Sequence, residues 1–364
     1  MEILKSSYIA KAKAMLKAKK NFRSFIRIAS LVGAVLVAAC GGISDFSPVP
    51  LAKPVSSANI YLAKPADGAV AVVDAVSSNV ITSFQVCSTP IFTILPAAQS
   101  IGFVGCTESI SIVDTQANAL IEDIPLAPSV LGLESMALSP DGSRLYFTGR
   151  DSNSSSATYN AFYLDVATKQ ITALAGNGEA RVIAVSADGS KAYVATGPQN
   201  VSTNSTLRVI DVASNVITAS IPVGLNAQSI AVSADGSRVY VGNRNAGTIS
   251  VIDANTNTVV ATWTTPGRPQ SIAISPDGSE IYVADLSDKL LIFNAATGVA
   301  ASTQVTTEAA VSLFVTLDSN GGKAYVVLFK GYSDNSKLAV VDTRTNTLTS
   351  SLTLGTVTLS VAVR

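Results

Sequence analysis

The phrase Ser229-Ile-Ala-Val-Ser-Ala-Asp-Gly-Ser-Arg-Val-Tyr-Val-Gly-Asn243, followed by Thr248-Ile-Ser-Val-Ile-Asp253, recurs along this chain. Close copies stand at Ser271–Asp285, Val182–Thr196 and Ser135–Gly149. A supersecondary unit copied in this way buries its apolar faces against its own neighbours, so the repeat constrains architecture more tightly than any local motif. Its most regular landmark is an apolar run closed by an acid or amide: Asp74, Asp114, Asp165, Asp211, Asp253, Asn294 and Asp342. The spacings of these seven marks are 40, 51, 46, 42, 41 and 48 residues. That is the period of a four-stranded propeller blade, and no 3.6-residue apolar pattern argues for a helical repeat.

Within the clearest copy the spacing predicts strands A (Ser229–Ser233), B (Arg238–Val241), C (Thr248–Ile252) and D (Thr258–Thr264), counted from the inside outward. Asp-Gly and Asp-x-Asn clusters mark the turns between them. The first unit opens at Asn59-Ile-Tyr-Leu62, a strand B, and the chain ends at Ser360-Val-Ala-Val-Arg364, a strand A. The fold expected is therefore all-β: a seven-bladed β-propeller of four-stranded blades over residues 57–364. Its C-terminal strand completes blade 1 and closes the ring, leaving no free edge between first and last blades. Tyr240-Val-Gly-Asn243, Tyr282-Val-Ala-Asp285 and Tyr193-Val-Ala-Thr196, each after an Asp-Gly-Ser turn, resemble the bacterial YVTN β-propeller repeats. The first, second and last units keep only part of the phrase. The resemblance implies an extracytoplasmic, often surface-associated propeller with no single shared chemistry.

The N-terminus reads as an address. Residues 1–27 carry eight Lys or Arg and one acid, Ile28–Ala39 is apolar, and Val37-Ala-Ala-Cys40-Gly-Gly follows. Twelve apolar residues are too few to span a bilayer, and the order basic, apolar, small is that of a secretory signal. The ending resembles the bacterial lipobox, which implies a lipoprotein signal peptide over 1–39 and a lipid on Cys40; an ordinary signal with a stray cysteine is the alternative. Translation starting at Met15 would give a more ordinary signal length. Residues 40–56 read as a flexible tether. Gly41 stands where an inner-membrane retention Asp would be, so the expected location is the cell envelope, with the outer membrane favoured and the lipid as the sole membrane contact. Without residues 1–39 the chain has 17 basic and 24 acidic residues. That balance argues against nucleic acid as a partner. A monomer is expected.

Cys87 falls in the crossover from blade 1 to blade 2, and Cys106 at the end of strand B of blade 2. The start of A lies beside the end of B, so an oxidising compartment favours a Cys87–Cys106 disulfide over two separate thiols.

The chain contains no histidine, which removes histidine-based nucleophilic catalysis and histidine-ligated metal or haem. No metal site, cofactor or catalytic residue is assigned. The acid that ends strand C in six of the seven blades, the Asp-Gly-Ser acids 141, 188, 235 and 277, and the blade tyrosines 146, 193, 240, 282 and 325 read as structural, because a catalytic site is needed only once. Function is expected on the face formed by the D–A and B–C loops, where the blades differ. The candidate binding face comprises Arg150, Asp151 and Tyr159 in the blade 3 insertion, Glu179, Arg181, Arg244, Arg268 and Asp285, and Lys330 and Tyr332 in the blade 7 insertion. Glu134 is among the further charges there. The reading favoured is a non-enzymatic binding or scaffolding module for an envelope protein or polysaccharide. The alternative is a lactonase-like propeller hydrolase with a carboxylate and arginine site at the channel mouth, for instance Glu179 with Asp285.

Overall fold

The structure is a computed structural model that describes residues 59–96, 100–126, 130–151, 159–176, 178–197, 203–301, 305–306, 311–329, 336–354, 358 and 360–363. Cys40, the segment 1–56, Lys330 and Tyr332 lie outside the described residues. Among the described residues the chain forms seven four-stranded antiparallel sheets, which are the blades of a propeller. Blade 1 is ordered Val361–Val363, Asn59–Lys64, Ala69–Asp74 and Val80–Gln85, so the last strand of the chain pairs with the first. Leu62 opposes Val361 and Tyr61 opposes Ala362 in that closing ladder.

The inner strands A of blades 2 to 7 are Pro90–Ile94, Val130–Leu138, Ala180–Val185, Ala227–Val232, Ser271–Ile274 and Val311–Leu317. Each touches the inner strands of the blades on either side, and Val361–Val363 touches both Pro90–Ile94 and Val311–Leu317. The ring is thereby closed around a central channel.

Alternation along each strand sends successive side chains to opposite faces. Both faces of a blade are covered here, so consecutive positions are apolar, and the core divides into seven clusters, one at each blade interface. Ile60 and Leu62 face back to blade 7, whereas Tyr61 between them faces forward to blade 2. The other blade tyrosines face forward in the same way and are buried. The Tyr61 hydroxyl donates to the Thr115 carbonyl at 2.8 Å and the Tyr240 hydroxyl to the Ala295 carbonyl at 3.2 Å, each in the next blade. The tyrosines are inter-blade packing, as the repeat implied.

The repeated acids are turn devices. At the C–D turns each of the seven acid or amide side chains accepts backbone N–H groups two or three residues on, as Asp253 does from Asn255 and Thr256 at 3.0 and 3.1 Å. The residue that ends each of these turns has left-handed φ, between 51° and 70°: Ser78, Asn118, Lys169, Asn215, Asn257, Gly298 and Asn346. In the Asp-Gly-Ser turns Asp188 accepts from the Ser186 hydroxyl at 2.5 Å and from the Ser190 backbone N–H at 3.0 Å, and Asp141, Asp235 and Asp277 repeat the arrangement. In blade 7 Asp318 takes the serine's place and accepts the Lys323 N–H at 3.1 Å.

Candidate functional site

The described D–A and B–C connections emerge at one end of the channel, and one position of strand A governs what the mouth presents. It precedes the serine of the Ser-Ile-Ala-Val phrase. At Ile91, Glu134, Arg181, Gln228 and Leu313 this residue sits at a register shift against strand B, and Gln270 directly precedes its strand at the same place. A bulge leaves its extra residue unpaired and re-aims that side chain. Here the result is a rim of one residue on each of blades 2 to 7: apolar on blades 7 and 2 (Leu313, Ile91), polar on blades 3 to 6 (Glu134, Arg181, Gln228, Gln270).

Beside the rim lies a cavity of about 510 Å³, whose lining includes the apolar Met136, Ile183, Ile230, Ile272 and Val315. Serines one step inward of the rim tie neighbouring blades together. The Ser135 hydroxyl accepts the Ile183 N–H at 3.3 Å, Ser271 the Val315 N–H at 3.3 Å and Ser360 the Thr93 N–H at 3.1 Å. Ser229 stands in the same register, but its buried hydroxyl has no hydrogen-bond partner. The Gln228 amide N–H donates to Asn226 Oδ1 at 2.7 Å, which leaves its carbonyl oxygen free as an acceptor.

The sequence-predicted charges have distinct fates. The Arg181 guanidinium lies over the Tyr159 ring, 4.0 Å from the centroid, and its Nε and Nη1 are buried without hydrogen-bond partners. These two are brought together by the bulge in blade 4 and by strand C of blade 3, which begins at Tyr159. Arg150 is exposed on the ladder opposite Tyr159, next to Asp151. Arg208, at mid-strand, fastens the crossover into blade 4 by donating to the Gly176 and Gly178 carbonyls. Glu179 follows with φ of 57° and is exposed. Arg244 is half-buried, with its Nε unpartnered, and Arg268 is exposed.

Asp285 is a correction to the surface reading, because it is fully buried (0% exposed). Its Oδ1 accepts the Ser287 N–H at 3.1 Å and the Ser287 hydroxyl, while Oδ2 has no partner. Gly267 covers it so closely that a Cβ there would stand 2.4 Å from Oδ2. Asn243 is its counterpart in blade 5, equally buried, accepting the Gly224 N–H at 3.0 Å and donating to Ser250 at 2.9 Å. Glu179 and Asp285 belong to blades 4 and 6, with blade 5 between them and only one of the two at the surface. The structure does not assemble them as a pair.

Cys87 and Cys106 form a disulfide with Cα atoms 6.4 Å apart, linking the crossover from blade 1 to the end of strand B of blade 2. Among the described residues no three His, Cys, Asp or Glu side chains gather in a metal-binding group. Gln228 and Gln270 are the rim residues that a search for charges passes over. The signal for them was present: aligning the copies on the serine shows Glu134-Ser135, Gln228-Ser229 and Gln270-Ser271.

The chain is thus a seven-bladed β-propeller with a non-repeating mouth. A family model described as YNCE-like beta-propeller matches residues 204–320, less than half of the chain. Among solved structures, a chain of Kuenenia stuttgartiensis hydrazine synthase matches with a TM-score of 0.66 and 16% identity, covering 78% of this chain and 92% of that one. At such identity the likeness is one of fold. No curated protein matches the chain in sequence.

Proposed function

We propose that this protein is a cell-envelope lipoprotein, anchored through Cys40, whose propeller is a non-enzymatic binding or scaffolding module for an envelope protein or polysaccharide. The observation that carries the binding reading is the rim. One position at the head of strand A, bulged in five blades, reads Ile91, Glu134, Arg181, Gln228, Gln270 and Leu313 on blades 2 to 7, while the turn acids and core tyrosines around it repeat. A rigid scaffold whose side chains differ from blade to blade where they meet the channel is suited to recognition rather than to packing. Fold alone assigns no chemistry. The basic, apolar and Val-Ala-Ala-Cys40 order supports the anchor.

The test is cross-linking in intact envelopes, comparing the natural chain with a rim variant (Glu134→Ala, Gln228→Ala, Gln270→Ala) and with a variant of the opposite face. A partner retained by the opposite-face variant and lost by the rim variant is the expected result. A partner retained by both removes the rim from recognition. Mass spectrometry of the mature N-terminus is expected to find an acylated Cys40, and an unmodified one removes the anchor.

A further inference from the structure

We infer that the cup at the channel mouth takes an organic cation: an ammonium or guanidinium group carried on an apolar body. This rests on the reading of the mouth as a recognition site and names the chemistry it recognises. The cavity of about 510 Å³ falls within the roughly 300–1,000 Å³ of small-molecule sites. Its two sides differ in kind. On blades 2 and 7 the wall is mostly apolar, with Ile91, Phe92, Leu313, Phe314 and Val315 beside the single polar Thr316.

On blades 3, 5 and 6 the wall is polar and weighted toward acceptors. Glu134 contributes the only charge among the described lining residues. Gln228 has its N–H engaged by Asn226, so its carbonyl oxygen is what it has left to offer. Gln270 completes the wall and can turn either end of its amide to a ligand.

The neighbouring cation does not cancel this charge by direct pairing. Arg181 occupies the same register between Glu134 and Gln228, yet its guanidinium is withdrawn over the Tyr159 ring at 4.0 Å. Arg181 is not part of the cavity wall. Among the described residues the cup therefore holds a single carboxylate, two amide side chains and a mostly hydrophobic far side. An anionic ligand would meet Glu134 without a paired cation, and a neutral apolar one would leave the polar wall unmatched. Cation and apolar body together satisfy both walls. A free amine and a lysine or arginine side chain of a partner share this chemistry.

Calorimetric titration of the full chain in detergent separates the outcomes, with phenethylamine, 3-phenylpropionate and 3-phenylpropanol as matched probes. Phenethylamine is expected to bind best, and Glu134→Gln to weaken it by about tenfold or more while leaving phenylpropanol unchanged. Glu134→Lys is expected to reverse the preference toward phenylpropionate. Equal binding of the amine and the carboxylate, or an amine affinity indifferent to Glu134→Gln, overturns the inference. Acetyl-Ala-Lys-Ala-amide against its norleucine analogue distinguishes the sources: tighter binding of the lysine peptide than of phenethylamine points to a partner's side chain, and the reverse to a free amine. Circular dichroism confirms that each variant is folded. Failure of the cation test with rim-dependent cross-linking intact removes this inference alone, and loss of both removes the binding reading as well.

Discussion

Gly298 shows how a single residue reports on the neighbouring blade. Six of the seven left-handed positions ending the C–D turns carry a side chain, and blade 6 alone has glycine. Backbone conformation does not demand it, since asparagine serves in four other blades. The reason is Trp263, the only tryptophan of the chain, which reaches across from strand D of blade 5: a Cβ on Gly298 would stand 2.2 Å from its Nε1. Gly298→Ala combines that overlap with an unfavourable left-handed alanine, and we expect a loss of about 2–4 kcal/mol in urea unfolding. The emission of Trp263 should shift to longer wavelength as the indole is displaced from Phe293, against which it stacks at 6.0 Å. An unchanged spectrum and midpoint would mean that the two blades do not meet there as described. Asp285 teaches the same lesson from the opposite side. Its sequence context, Tyr-Val-Ala-Asp-Leu-Ser, gives no sign that Gly267 seals it from water.

Turns are the elements whose energetics respond to pH. The Ser186 hydroxyl, with the backbone N–H and hydroxyl of Ser190, holds the Asp188 carboxyl down at about 2, and Asp141 and Asp235 are held at about 2 by the equivalent serines. Asp277 and the C–D turn acids 74, 165, 211, 253 and 342 are lowered as well, by the donors of their own turns. A carboxyl whose folded pKa lies below its unfolded value of 3.8 favours the folded state whenever it is ionised. In the interval between the two values the unfolded chain binds more protons, so stability rises with pH there and is level above it. Unfolding free energy should accordingly be flat from neutral pH down to about 4 and fall steadily toward pH 2. Asp188→Asn should reduce that acid slope. A slope beginning near pH 6 would contradict the assignment. These turns were legible in the sequence because every group involved lies within five residues, as with Ser186, Asp188, Ser190 and Lys191. The bulges at the heads of the A strands were not. A register shift depends on how strand B opposes strand A, and the residues that cause it carry no distinctive local pattern.

At the scale of the whole molecule the ring is held at its seam by few groups. Val361–Val363 contributes three ladder positions, Lys323 Nζ donates to the Ala75 carbonyl at 3.0 Å, and the Ser78 and Ser350 hydroxyls meet at 3.1 Å. Behind them stands a full apolar interface in which Ile60, Leu62 and Val73 of blade 1 pack on Tyr325, Val327 and Val340 of blade 7. Deleting residues 358–364 removes the inner strand of blade 1 and exposes the ladder edge of Asn59–Lys64. We expect a loss of at least about 3 kcal/mol together with concentration-dependent association through that edge, read by urea unfolding and by size-exclusion chromatography. A truncated chain that stays monomeric with an unchanged midpoint would show that the seam contributes nothing to the closed state.

The sequence by itself determined the class of fold, the number of blades, the strand order within each and the closure by the C-terminus. It also placed Cys87 against Cys106. Those properties follow from periodicity, turn chemistry and register, which are written within one repeat or between adjacent ones. Only the tertiary structure decided which side chains face the channel and which charges meet water. Glu134, Gln228 and Gln270 come to one rim because inner strands about 40–50 residues apart along the chain pack as successive blades. The Arg181 guanidinium lies over the Tyr159 ring and outside the cavity wall, and Asp285 is buried because a glycine in the preceding crossover closes over it. Burial and approach are set by neighbours distant along the chain, and a one-dimensional pattern does not carry them.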